Sequence, residues 1–140
     1  MNVLKLPFNR ILSIKKSDAP DTIFMLEDQE KYQNHLGTVH ASAQYSLAEA
    51  TSGEVLERNL GDWNGSYIPV VRRAEIKYKN PARGRLFSTG HLDPDIVLKS
   101  KRELLEKGRT LIDVPVRISD EEKNTTFVGT FTWFVAKDKK

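Results

Sequence analysis

The chain has 140 residues, 39% of them hydrophobic and 29% charged, a balance that suits one soluble globular domain over residues 1–140 and excludes a disordered chain. Its net charge of +3 and pI near 9.1 are too mild to mark a nucleic-acid binder, although they suit a phosphate-bearing ligand. The absence of cysteine excludes disulfides, thiolate catalysis and Cys-based zinc sites.

The opening "MNVLKLPFNRILSIKKS" holds no apolar run of signal-peptide length, and nothing later approaches a membrane span, so a cytoplasmic protein without membrane contact is expected. In that setting the sequons at Asn64 and Asn124 read as chance. Residues 11–17 and 22–28 predict two short strands around the turn "DAPD". Residues 29–37 are polar, end in Gly37 and predict a loop. A long helix follows over 39–58 and closes before the loop "NLGDWNG".

In "SYIPVVRRAEIKYKN" a period of two puts Ile68, Val70, Ala74, Ile76 and Tyr78 on one strand face, with Val71, Arg73, Glu75 and Lys77 on the other. Arg72 falls on the apolar face, which calls for a bulge or for a partner to the arginine. "NPARG" turns the chain and "RLFSTGHL" predicts another strand. Asp93 before Pro94 starts a short amphipathic helix that Gly108 stops. "TLIDVPVRIS" alternates with Ile112, Val114, Val116 and Ile118 on one face, and "TTFVGTFTWFVA" returns as the second arm of a hairpin. Strands grouped around one long helix predict an α+β fold with a largely antiparallel sheet of five to six strands.

Eight of the fourteen residues from His40 to Gly53 are Ala, Ser or Gly, which lets a sheet curl closely around this helix and makes it central. Val39, Ala43, Leu47 and Ala50 form its apolar stripe. Glu49 shares the other side with Ser42, Tyr45, Ser46 and Ser52. A buried carboxylate costs several kcal/mol unless paired or neutralised, so such a position implies chemistry or a subunit contact. His40 and Ala41 occupy the first turn, where backbone N–H groups lack intrahelical partners and the dipole favours negative charge, a site for a developing oxyanion. Gly37 lets the preceding loop approach a ligand, and Asn34 is placed to hold a water or a carbonyl. An ordinary capping role for His40, a turn role for Asn34 and a solvated Glu49 are the competing readings of each residue alone.

At these positions the sequence resembles the hotdog-fold thioesterases, particularly the phenylacetate-pathway-type branch and its uncharacterised relatives. The likeness rests on Asn34, Gly37, His40, Ala41 and the acid Glu49 nine residues beyond the histidine, and on the later stretch "IKYKNPARG". It implies a hotdog fold, one helix wrapped by the sheet, and a homodimer or a tetramer of two dimers with sites at the subunit interface. It also implies that the Ala41 N–H polarises a thioester carbonyl, that Glu49 of the opposite subunit is general base or nucleophile, and that Asn34 positions water or carbonyl. The chain departs from the pattern with Ala41 and Ser42 for a common glycine pair, Glu49 where Asp is frequent, and Val71 where some members carry a serine.

Function is therefore expected to be hydrolysis of an acyl-CoA or related thioester, with coenzyme A entering as part of the substrate and no separate cofactor. Substrate contacts are expected from Gly37, Ser42 and Tyr45, and from a basic rim of Arg72, Arg73, Lys77, Lys79, Arg83 and Arg85, whose alternative role is a solvated strand face with edge-protecting charges. The alternative function is a non-catalytic acyl-CoA-binding or regulatory protein of the same fold. Dehydratase chemistry would need a different histidine motif, which is absent. His35, His40 and His91 lack metal-ligand spacing, so no metal is expected.

Overall fold

The structure is a computed structural model that describes residues 1–61 and 66–139. Its helices are α1 (Pro7–Ile11), α2 (Ala41–Leu60) and α3 (Pro94–Lys107). The described strands β1 (Lys15–Lys16), β2 (Phe24–Leu26), β3 (Tyr67–Tyr78), β4 (Leu86–Gly90), β5 (Arg109–Ser119) and β6 (Thr125–Lys137) form one sheet in the order β1-β2-β4-β5-β6-β3. Every neighbouring pair is antiparallel. The sheet curls around α2, which packs against β2, β4, β5 and β6. This is the α+β hotdog arrangement the sequence leads one to expect.

The core follows from alternation on one side and small residues on the other. In β5 Thr110, Ile112, Val114, Val116 and Ile118 are buried while their neighbours face solvent, and β6 adds Phe127, Phe131, Trp133 and Val135. Against them α2 buries Ala43, Leu47, Ala48, Ala50, Val55 and Leu56. The expected apolar stripe is thus buried along the helix, with Val39 half-buried ahead of it. The Trp133 ring lies over Gly53, where a Cβ would meet it in van der Waals contact at 3.4 Å. Two polar pairs are satisfied across the same interface, Trp133 Nε1 donating to Ser52 Oγ at 3.0 Å and Thr51 sharing a 2.5 Å hydrogen bond with Ser88. Ser52 therefore belongs to the buried side, not to the open polar side expected for it.

Three elements differ from the sequence reading. Residues 7–11 are helical and only Lys15–Lys16 extend, because Pro7 opens the helix at its first turn and the Asn9 amide donates to the Val3 carbonyl at 2.9 Å. The strand expected over 22–28 is limited to Phe24–Leu26. The long helix runs to Leu60, so the loop expected from Asn59 starts later, and its remainder, with the sequon Asn64, falls at residues 62–65 outside the described residues. The helix α3 has the expected ends, the Asp93 side chain accepting from Asp95 N at 2.9 Å and Gly108 adopting φ +70° beyond the last turn.

The faces of β3 are set by a bulge. Val71 pairs with Trp133 but Arg73 with Thr132, which leaves Arg72 as the extra residue. Tyr67, Pro69 and Val71 point inward before it, and Ala74, Ile76 and Tyr78 after it. Ile68 and Val70 consequently lie on the outer face, 49% and 46% exposed, and do not share a face with Ala74, Ile76 and Tyr78 as an unbroken period of two predicts. Arg72 has both a bulge and a partner: its guanidinium sits 4.0 Å from the centroid of the Phe134 ring. On its other side β3 is the edge of the sheet, with no neighbouring strand among the described residues.

Candidate active site

The entrance to α2 is held by its own loop. Asn34 N donates to Thr38 O at 2.8 Å, and the Asn34 carboxamide oxygen accepts from the N–H groups of Leu36 and Thr38 at 2.9 and 3.1 Å. Its Nδ2 donates to Thr38 Oγ1 at 2.8 Å. Gly37, at φ +73°, makes the turn that closes this loop. Val39 N then donates to Ala82 O at 2.8 Å, which fastens the helix start to the turn after β3, and His40 N to Tyr32 O at 2.7 Å, which ties it to the preceding segment. Asn34 thus acts first as the organiser of its loop, and most of its hydrogen-bonding capacity is taken up there.

His40 is the N-cap rather than a first-turn residue. Its Nδ1 accepts the Ser42 N–H at 2.9 Å. Ala43 N and Gln44 N donate to the His40 carbonyl. Of the first-turn donors, the Ala41 N–H alone has no acceptor among the described residues, as its place at the first helical position dictates.

Ala41 lines a groove of about 600 Å³ together with Asn34, Thr38, Gln44, Tyr78, Lys79 and Arg83, with Leu36 and Pro81 among its walls. Tyr78 donates from its hydroxyl to Ala41 O at 3.0 Å and packs edge-to-face on Phe127. Burial, and then the neighbouring Tyr45, raise the Tyr78 phenol above its ordinary value, so it remains a neutral donor. Lys79 and Arg83 are exposed at the rim, and neither has an ion-pair partner among the described residues. A groove of similar size, about 630 Å³, crosses the outer face of the sheet between Lys77, Arg117, His91 and Glu75, but it contains no free helix-terminal N–H.

Glu49 stands apart from this groove within one chain. Eight residues of helix place it about 12 Å along the axis from Ala41. Tyr45, one turn before it, packs on Phe131 with ring centroids 5.4 Å apart, and Ser52, one turn after it, holds Trp133. Glu49 therefore lies on the side of α2 that looks toward the inner surface of β6, the strand next to the edge strand β3. It is half-buried, no hydrogen bond or ion pair reaches its carboxylate among the described residues, and burial alone pushes its carboxyl above the ordinary 4.5.

The expected basic rim is divided. Lys79 and Arg83 join the groove, whereas Arg73 and Lys77 project from the outer face, Arg73 near Glu75 at 3.7 Å. Arg72 is stacked on Phe134, and Arg85 is engaged by Glu121 at 2.7 Å and Asp18 at 3.3 Å. Ser42 is exposed at the helix start, its carbonyl accepting from Ser46 Oγ at 2.9 Å. No group of three His, Asp or Glu side chains could hold a metal among the described residues.

Residues 10–135 match the family described as a domain of unknown function, DUF4442. The chain belongs to that family. No curated protein matches it. Among solved structures this DUF4442 protein is similar to a Pseudomonas aeruginosa protein of unknown function, called a probable thioesterase, at TM-score 0.81 and 16% identity over 97% of this chain and 91% of the other. It is similar to a Chlorobaculum tepidum protein of unknown function at TM-score 0.79 and 20% identity, over 96% and 88% of the two chains. A Bacillus halodurans protein crystallised with CoA matches at TM-score 0.66 and 20% identity, over 91% and 74%. These likenesses establish the hotdog fold.

Two groove residues of this DUF4442 chain were not singled out from the sequence. Tyr78 was legible as the aromatic before the Pro-Ala turn. Gln44 was legible as a polar residue one turn before Ala48 and so on the buried side of α2, where it is 4% exposed.

Proposed function

We propose that the protein is a homodimeric hydrolase of acyl-CoA thioesters. The observation that carries this reading is the Ala41 N–H, without an acceptor among the described residues, at the positive end of a twenty-residue helix and in a residue that lines a groove; its rim bears Lys79 and Arg83, which have no ion-pair partner among the described residues. A thioester carbonyl seated on that N–H would be polarised, and the oxyanion formed on attack would be stabilised, a contribution of about 3–4 kcal/mol for one such donor. Lys79 and Arg83 suit the phosphates of coenzyme A. The Bacillus halodurans relative crystallised with CoA supports that ligand class.

The chemistry also needs a base, and Glu49 of the same chain is too far along the helix. The free edge of β3 offers a second copy a row of backbone donors and acceptors, and Glu49 lies on the side of α2 toward β6, the strand next to β3. In a dimer joined there, Glu49 of the partner subunit takes a proton from water as the water oxygen bonds to the thioester carbon. The tetrahedral intermediate then collapses with cleavage of the carbon–sulfur bond, and the proton passes to the leaving thiolate. Alanine variants of a glutamine and, fifteen positions later, a glutamate exist for one Staphylococcus aureus structural relative, called a thioesterase. The same spacing separates Asn34 from Glu49 here.

The test is release of free thiol from a panel of short, medium, long and aromatic acyl-CoAs by the wild type and Glu49→Gln. Turnover by the wild type that Glu49→Gln abolishes, with dimer and fold intact, is the expected result. Binding of acyl-CoA without any turnover would replace the hydrolase by the acyl-binding alternative.

A further inference from the structure

Gln44 occupies a place that packing does not account for. It is 4% exposed, lines the groove below Ala41, and its Oε1 is fully buried with no hydrogen-bond partner. No other hydrogen bond of its side chain exists among the described residues either. Buried polar side chains in folded proteins are paired as a rule, so an unpaired amide at the wall of a ligand groove calls for a ligand. Its position fits: a helical side chain leans toward the N-terminus, so Gln44, three residues beyond Ala41 on the same face, reaches back over the first turn and its free N–H.

The amide expected to perform positioning is meanwhile largely engaged, with one Nδ2 hydrogen left over. Asn34 accepts two backbone N–H groups and donates to Thr38, all within its own loop. We propose that Gln44 supplies a side-chain amide that hydrogen-bonds the thioester carbonyl oxygen beside the Ala41 N–H. The amide can turn about its last side-chain bond to present N–H to an oxygen, because its two ends have nearly the same shape. The inference rests on the thioesterase reading above and assigns a residue to that same site.

Gln44→Met keeps the length of the side chain and removes the amide. With the acyl-CoA that the wild type turns over best, kcat should fall about 10²-fold and KM change little, as for loss of one oxyanion donor. The melting temperature should stay level or rise, since an unpaired buried polar group is gone. Affinity for a non-hydrolysable thioether analogue, which lacks the carbonyl, should be unchanged; a merely structural role would weaken it. If Gln44→Met does not fold, Gln44→Leu carries the same three readouts. Turnover by a folded variant within twofold of wild type would overturn the Gln44 assignment and leave the hydrolase reading standing. A wild type inactive on the whole panel would remove both.

Discussion

The His40 ring accepts the Ser42 N–H at 2.9 Å, and the intervening Ala41 N–H is left as the one donor of the first turn of α2 without an acceptor among the described residues. The helix is thus capped from within while the Ala41 N–H stays available to a ligand. His40 acts at one remove, by fixing where that donor points.

Ala41→Pro isolates the donor. Ala41 is the first helical residue, where proline's missing N–H disrupts no intrahelical bond, and His40 has the extended conformation (φ −58°, ψ 139°) that proline requires before it. The fold should be retained, with a melting temperature near that of wild type, while thiol release falls about 10²–10³-fold. Undiminished kcat in this variant would show that the carbonyl is not bound at this helix end.

Burial sets the pH behaviour of Glu49. Its carboxyl lies above the ordinary 4.5, so the folded chain keeps the proton to higher pH than the unfolded chain does. The resulting stability is complete below the unfolded value and is lost as pH rises through the raised one. Glu49→Gln is neutral throughout. Thermal melts should therefore show the variant more stable than wild type at neutral pH, with the gap closing toward pH 4. A kcat/KM profile that depends on the ionised carboxylate should inflect above 4.5 for the same reason.

What the sequence disclosed and what it hid divide along physical lines. Local signals carried α3, where Asp93, Pro94 and Gly108 act through neighbouring backbone, and β5, where strict alternation meets one buried face. The entrance of α2 was legible as a place because Asn34, Gly37, His40 and Ala41 lie in one short segment. Their division of labour was not, since it depends on which hydrogen bonds each side chain makes first: Asn34 turns inward on its loop and His40 caps. In β3 the bulge at Arg72 moved Val71 inward and Ile68 and Val70 outward, and only pairing with β6 reveals a single inserted residue. The basic residues, adjacent along the chain, were scattered by the same bulge and by acids as distant as Asp18 and Glu121.

Close packing between α2 and the sheet makes Gly90 a sharp stability probe. A Cβ there would lie 2.9 Å from Val55 Cγ2 and 3.1 Å from the Pro115 carbonyl oxygen, and the second of these is backbone that cannot swing aside. Gly90→Ala should cost about 1–3 kcal/mol, as overpacking does. Chemical denaturation read by Trp fluorescence measures it, and a midpoint equal to wild type would mean that β4 and α2 can separate more easily than their packing implies.

The shared-site arrangement makes its own prediction for mixed subunits. Ala41→Pro removes the oxyanion donor and Glu49→Gln removes the base, so each homodimer should be nearly inactive. In a hybrid dimer one site combines the intact Ala41 of one chain with the intact Glu49 of the other, while the second site carries both lesions. Unfolding the two variants together and refolding them as an equal mixture yields hybrids as half of the dimers. Activity should then recover to about a quarter of the wild-type value, following from two-fold symmetry alone. Variants refolded separately and mixed afterwards should show no recovery until subunits exchange. If co-refolded hybrids stay inactive although both single variants dimerise, donor and base do not meet across the β3 edge, and Glu49 must reach the thioester from within its own chain or not at all.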